Sequence, residues 1–117
     1  MTEKVSLRRQ DGLPMPPVSP ETPEALARWY RDRLLRDLDR GERALAIACF
    51  DTAPFGFPVS QAAAAVLRAV TDLLYDRPEA ESLRILCGDE AAFRAYRFHW
   101  NMWYAEHKPD HEDAADL

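Results

Sequence analysis

Glycine is scarce in this chain, 4 in 117 residues, which excludes the glycine-rich loops that nucleotide-binding motifs depend on. Cysteine is scarcer. The 2 present, Cys49 and Cys87, cannot build a disulfide framework, and each lies in an apolar run where a thiol acts as a small hydrophobe. No stretch approaches ~18 uninterrupted apolar residues, and the opening MTEKVSLRRQDG lacks the apolar segment of a signal peptide. A cytoplasmic setting with no membrane partner is therefore expected. Histidine is limited to His99, His107 and His111. No Ser-His-Asp arrangement can be assembled from them, and HKPDH near the C-terminal end is a poor metal site. No catalytic residue, metal or cofactor is expected. Positive charge is also in deficit, with 15 Lys and Arg against 20 Asp and Glu and a net charge of −5, so no nucleic-acid partner is expected.

What is present fits one globular domain. Hydrophobic residues make up 47% and charged residues 30%, and the length suffices for a core without staples. The first 20 residues hold four of the 9 prolines, in LPMPPVSP, and read as an extended arm over residues 1–21. Within it Val5 and Leu7 alternate with polar neighbours, which predicts a short edge strand in EKVSLRR. The α/β domain is expected over residues 22–107, followed by an acidic tail over 108–117.

Inside that domain the first helix is well marked. Thr22 can cap it, Pro23 suits its first position, and Leu26, Tyr30, Leu34 and Leu38 recur on one face before Gly41 stops it. Its arginines, among them Arg28, Arg31 and Arg36, alternate with Glu24, Asp32 and Asp37 as a solvated mixed-sign face. RALAIACF then reads as a strand buried on both faces, and a helix follows from about Val59 to Tyr75. SLRILC is a second buried strand, so strand, helix and strand form a parallel, right-handed βαβ unit. The last helix starts after Asp89 and runs to roughly Glu106. Phe93, Tyr96, Trp100 and Trp103 share its core face, whereas Phe98 and Tyr104 point elsewhere and are interface candidates. Two buried strands with one short addition leave a sheet edge to be completed by the arm, a second copy or another protein.

The stretch CFDTAPFGFPVSQAAAA joins the first buried strand to the second helix. Together with SLRILCGDEAAFRAY it resembles the C-terminal half of macro domains, over about residues 24–105. Phe55-Gly56-Phe57-Pro58 is the most specific part of the match. The resemblance implies a layered α/β/α fold, here a small domain with a short, mainly parallel sheet, and a loop made to hold ADP-ribose. By the same resemblance the ligand-binding positions are Asp51, Thr52, Ala53, Phe55, Gly56 and Phe57. Asp51 takes the usual serine place, Thr52 matches the threonine, Ala53 replaces a glycine and Pro54 an aliphatic residue. The family's first half has no counterpart.

Those departures weaken a phosphate cradle physically. Proline has no N–H to donate, alanine resists positive φ, and Asp51 adds negative charge where a diphosphate would sit. Each charge-assisted hydrogen bond lost is worth roughly 1.5–3 kcal/mol. The expectation is a non-catalytic macro-domain-like module acting through protein association, as a homo-oligomer or with a partner that completes the sheet, its ADP-ribose binding lost or weakened. The alternatives are a reduced ADP-ribose or phosphate-ligand site, or part of an ADP-ribosyl hydrolase completed by a partner.

Overall fold

The computed structural model describes residues 5–15 and 18–107, with side chains described as far as Trp103. The elements in chain order are β1 (Val5–Arg9), α1 (Pro23–Asp39), β2 (Ala44–Cys49), a 3-10 turn (Ala53–Phe55), α2 (Val59–Asp76), β3 (Ser82–Cys87) and α3 (Glu90–His107). The expected small layered α/β domain with a short parallel sheet is the fold found. Its three strands lie in the order β1-β3-β2, with β3 paired in parallel to both neighbours.

Local chemistry accounts for the element boundaries. Thr22 accepts a hydrogen bond from the Ala25 N–H at 3.0 Å and Pro23 opens α1. Gly41, at φ 96°, turns the chain out of that helix while its N–H closes on the Leu38 carbonyl. Asp89 caps α3 through the Ala92 N–H at 2.8 Å. The helix after the loop runs one residue beyond the expected end, to Asp76.

Burial follows strand alternation. Leu45, Ile47 and Cys49 of β2 and Leu83, Ile85 and Cys87 of β3 are buried, and they join Leu34, Val66, Val70 and Tyr96 of the helices in one core. On the other sheet face Ser6, Arg8 and Arg84 are exposed, and Ala46, Ala48 and Leu86 are half-buried beside Leu13, Pro14 and Met15. The first part of the proline-rich arm thus supplies β1, and its continuation lies along that second face.

The structure also defines the sheet edge that the sequence left open. Cys49 accepts from the Gly88 N–H and Arg43 from the Ser82 N–H, so the odd-numbered peptide groups of β2 point to β3. In a parallel strand the peptide groups of Ala44, Ala46 and Ala48 must then point to the outer edge. One of these, the Ala48 carbonyl, accepts the Tyr30 hydroxyl of α1. β2 carries no charge or proline along this edge, whereas β1 ends in Arg8 and Arg9.

Candidate functional site

The loop between β2 and α2 is held by its own side chains. Thr52 is 1% exposed, and its hydroxyl donates to the Phe57 carbonyl at 2.9 Å, drawing the two ends of the loop together. The Phe55 N–H donates to the Thr52 carbonyl and the Gly56 N–H to the Ala53 carbonyl, at 2.9 and 3.0 Å. Those bonds make the single 3-10 turn. Gly56 ends it at φ 97°, a conformation that glycine adopts without steric cost. Phe57 is buried, and its ring stacks on that of Phe55 with centroids 6.3 Å apart. No non-glycine residue in the described chain has positive φ, so Ala53 sits in the loop without strain.

Carboxylates take two further donors. The Asp51 side chain accepts from the Ala53 N–H at 3.1 Å, and Asp89 accepts from the Asp51 N–H at 2.9 Å. Asp89 therefore serves both the loop and the cap of α3. Beside it Glu90 pairs with Arg9 at 2.8 Å, and Arg9 also pairs with Asp11 at 2.9 Å. The N–H groups of Asp51, Ala53, Phe55 and Gly56 all have acceptors within the protein, and Pro54 has none to offer. The six candidate ligand-binding positions of the sequence all lie in this loop, and four of their N–H groups, those of Asp51, Ala53, Phe55 and Gly56, already donate within the protein.

Beneath the loop lies a buried cluster of Cys49, Cys87, Tyr30 and Tyr96. The cysteines are in register on adjacent strands and both are free thiols. Burial first, then the Asp89 charge, pushes the Cys87 thiol up to about 12. Burial also raises Cys49, with Cys87 adding to it, and raises Tyr30 and Tyr96. Burial thus favours the neutral form of each of these groups.

Sequence reasoning missed one contact. The Ser60 hydroxyl lies 2.9 Å from His99 Nε2, joining the first turn of α2 to the middle of α3. Ser60 is exposed and His99 half-buried, no carboxylate among the described residues hydrogen-bonds the other ring nitrogen, and the pair ties two helices together. No group of three His, Cys, Asp or Glu among the described residues could hold a metal ion. HKPDH falls largely outside them. Of the interface candidates, Phe98 is 60% exposed, while the Tyr104 side chain lies outside the described residues. No helix among the described residues is long and apolar enough to cross a membrane.

Comparison with known proteins adds one result to this geometry. The chain is similar to an O-acetyl-ADP-ribose deacetylase of Cronobacter turicensis, with 31% identity over 75 residues. The match covers 64% of this chain and 43% of that protein, so the chain spans less than half the length of the curated relative it matches. That likeness supports a macro-domain relationship, in agreement with the FGFP turn. No family model matches the chain.

Proposed function

We propose that this chain is a non-catalytic, macro-domain-like module that acts through protein association and has lost or weakened ADP-ribose binding. The observation that carries this reading is the loop, where Asp51 and Asp89 already accept the Ala53 and Asp51 N–H groups that would otherwise be open to a diphosphate. A ligand there would have to displace two carboxylates and recover what their hydrogen bonds contribute. Association is supported by the outer edge of β2, with outward peptide groups at Ala44, Ala46 and Ala48 and a half-open sheet face beside it.

Two measurements test the two halves of this reading. Light scattering after size exclusion should find a dimer or larger species at micromolar concentration. Ala46→Pro removes an outward N–H without touching the pairing to β3, and should return the protein to a monomer. A folded wild-type monomer at micromolar concentration refutes self-association. Calorimetry should show no ADP-ribose binding at millimolar ligand. Heat that disappears in Gly56→Glu would instead establish a working ligand site. A second reading, part of an ADP-ribosyl hydrolase completed by a partner, draws on the likeness to less than half of an O-acetyl-ADP-ribose deacetylase. The same β2 edge would then receive the complementing chain.

A further inference from the structure

The helical side of the molecule carries a charged groove that the proposed function does not use. Between α1 and α2 lies a depression of about 790 Å³, with Ala27, Ala65 and Ala69 among the residues that line it. Arg28 and Arg31 approach it from α1 and Arg68 from α2. All three are exposed, and none forms an ion pair among the described residues, although Arg9, Arg40, Arg77 and Arg94 do. Glu24 and Asp72 also line the groove, with no ion pair to these guanidinium groups among the described residues. Small side chains beneath three guanidinium groups, which outnumber the two carboxylates of the groove, form a surface suited to a narrow acidic chain.

We propose that the acidic segment of this same chain, Asp110 to Asp116, docks in the α1–α2 groove and pairs with Arg28, Arg31 and Arg68. Charge complementarity favours it, since Asp110, Glu112, Asp113 and Asp116 fall within seven residues. So does its origin. Met102 and Trp103 of α3 line a neighbouring groove together with Ala64, Arg68 and Asp72, so α3 ends on the far side of the same α2 ridge. Crossing one packed helix requires about 8–10 Å, and ten extended residues reach about 33 Å. Residues 108–117 lie outside the described residues, and their start at the end of α3 leaves enough chain for an intramolecular contact. The pairing would cover arginines that a solvated helix face otherwise exposes, and a foreign acidic segment would have to displace it.

Paramagnetic labelling of the full chain tests this. A spin label on Ala115→Cys, with the buried Cys49 and Cys87 left unreacted, should bleach the amide signals of Arg28, Ala65 and Arg68. Those of Ser6 and Arg84, on the opposite sheet face, should keep their intensity. Arg28→Glu/Arg31→Glu/Arg68→Glu should abolish the bleaching, as should 1 M NaCl, where the Debye length falls to about 3 Å. Reversing Asp110, Glu112, Asp113 and Asp116 to lysine in that triple variant should restore it. Bleaching confined to α3 overturns the proposal, and so does bleaching that persists in the triple variant. Mixing labelled unenriched protein with unlabelled 15N-enriched protein should give no bleaching; a signal there would place the segment on a second copy and equally overturn the intramolecular contact.

Discussion

The Thr52 hydroxyl is the sharpest test of the internally braced loop. Thr52→Val keeps the side-chain shape but removes the donor to the Phe57 carbonyl, a buried hydrogen bond of 2.9 Å. Thr52 itself is 1% exposed, so water cannot readily replace the lost donor. Leaving a buried carbonyl unsatisfied costs about 1–3 kcal/mol, a large fraction of the roughly 5–15 kcal/mol that holds a domain together. With a urea slope of about 1–2 kcal/mol/M, the unfolding midpoint should fall by about 1 M. Thr52→Ser retains the donor and loses one methyl, for which about 1 kcal/mol is expected. Urea titrations followed by tryptophan fluorescence would compare the three proteins. A Thr52→Val midpoint equal to that of wild type would show that the hydroxyl does not brace the loop. A Thr52→Ser protein less stable than Thr52→Val would show that methyl packing at this site outweighs the hydroxyl's hydrogen bond, against the reasoning given.

Two further substitutions probe the same end of the sheet. A Cβ on Gly88 would lie 2.2, 2.7 and 2.9 Å from three atoms of the Phe50 ring, so the whole ring must move. Gly88→Ala should therefore destabilise by about 1–3 kcal/mol in urea titration, and adding Phe50→Leu should recover part of the loss. The pH dependence tests the buried thiols. Cys87 is raised from 9.0 to about 12, so between those values the unfolded chain loses its proton while the folded chain keeps it. Stability contributed by this group is complete below about pH 9 and falls by up to about 1.4 kcal/mol per pH unit toward pH 12. Denaturation series between pH 8 and 11 should show a shallower decline in Cys87→Ala; equal slopes would refute the assignment.

Most of the fold was legible because its signals are local. Thr22, Pro23 and Gly41 mark the ends of α1, and the runs in β2 and β3 are too short and too apolar for helices. The strand at Val5–Arg9 was readable as alternation, but its partner was not, because parallel pairing to β3 joins residues nearly eighty positions apart. At the loop, the chemistry of Pro54 and Asp51 was visible in the residue types. The bond from the Ala53 N–H to Asp51 follows the local pattern by which aspartate accepts from the backbone two residues on, and DTA carried that signal. The second role of Asp89 was hidden, since only folding brings the end of β3 beside the end of β2. Ser60 and His99 meet for a similar reason, through the rotation of α2 and α3 against each other, which periodicity alone does not set.

The loop and the edge offer unequal returns to an incoming partner. At the loop the Asp51, Ala53, Phe55 and Gly56 N–H groups already donate within the protein, two of them to carboxylates, so at those two a phosphate would exchange one charge-assisted bond for another. Little net free energy is available from such an exchange, and Asp51 and Asp89 would then stand next to an anion. At the edge of β2 the case is reversed. Ala46 and Ala48 are half-buried, their N–H groups point away from β3, and the Ala48 carbonyl accepts from Tyr30. A strand added there would gain about 0.5–1.5 kcal/mol for each ladder bond and would also bury apolar surface beside Ala46 and Leu86.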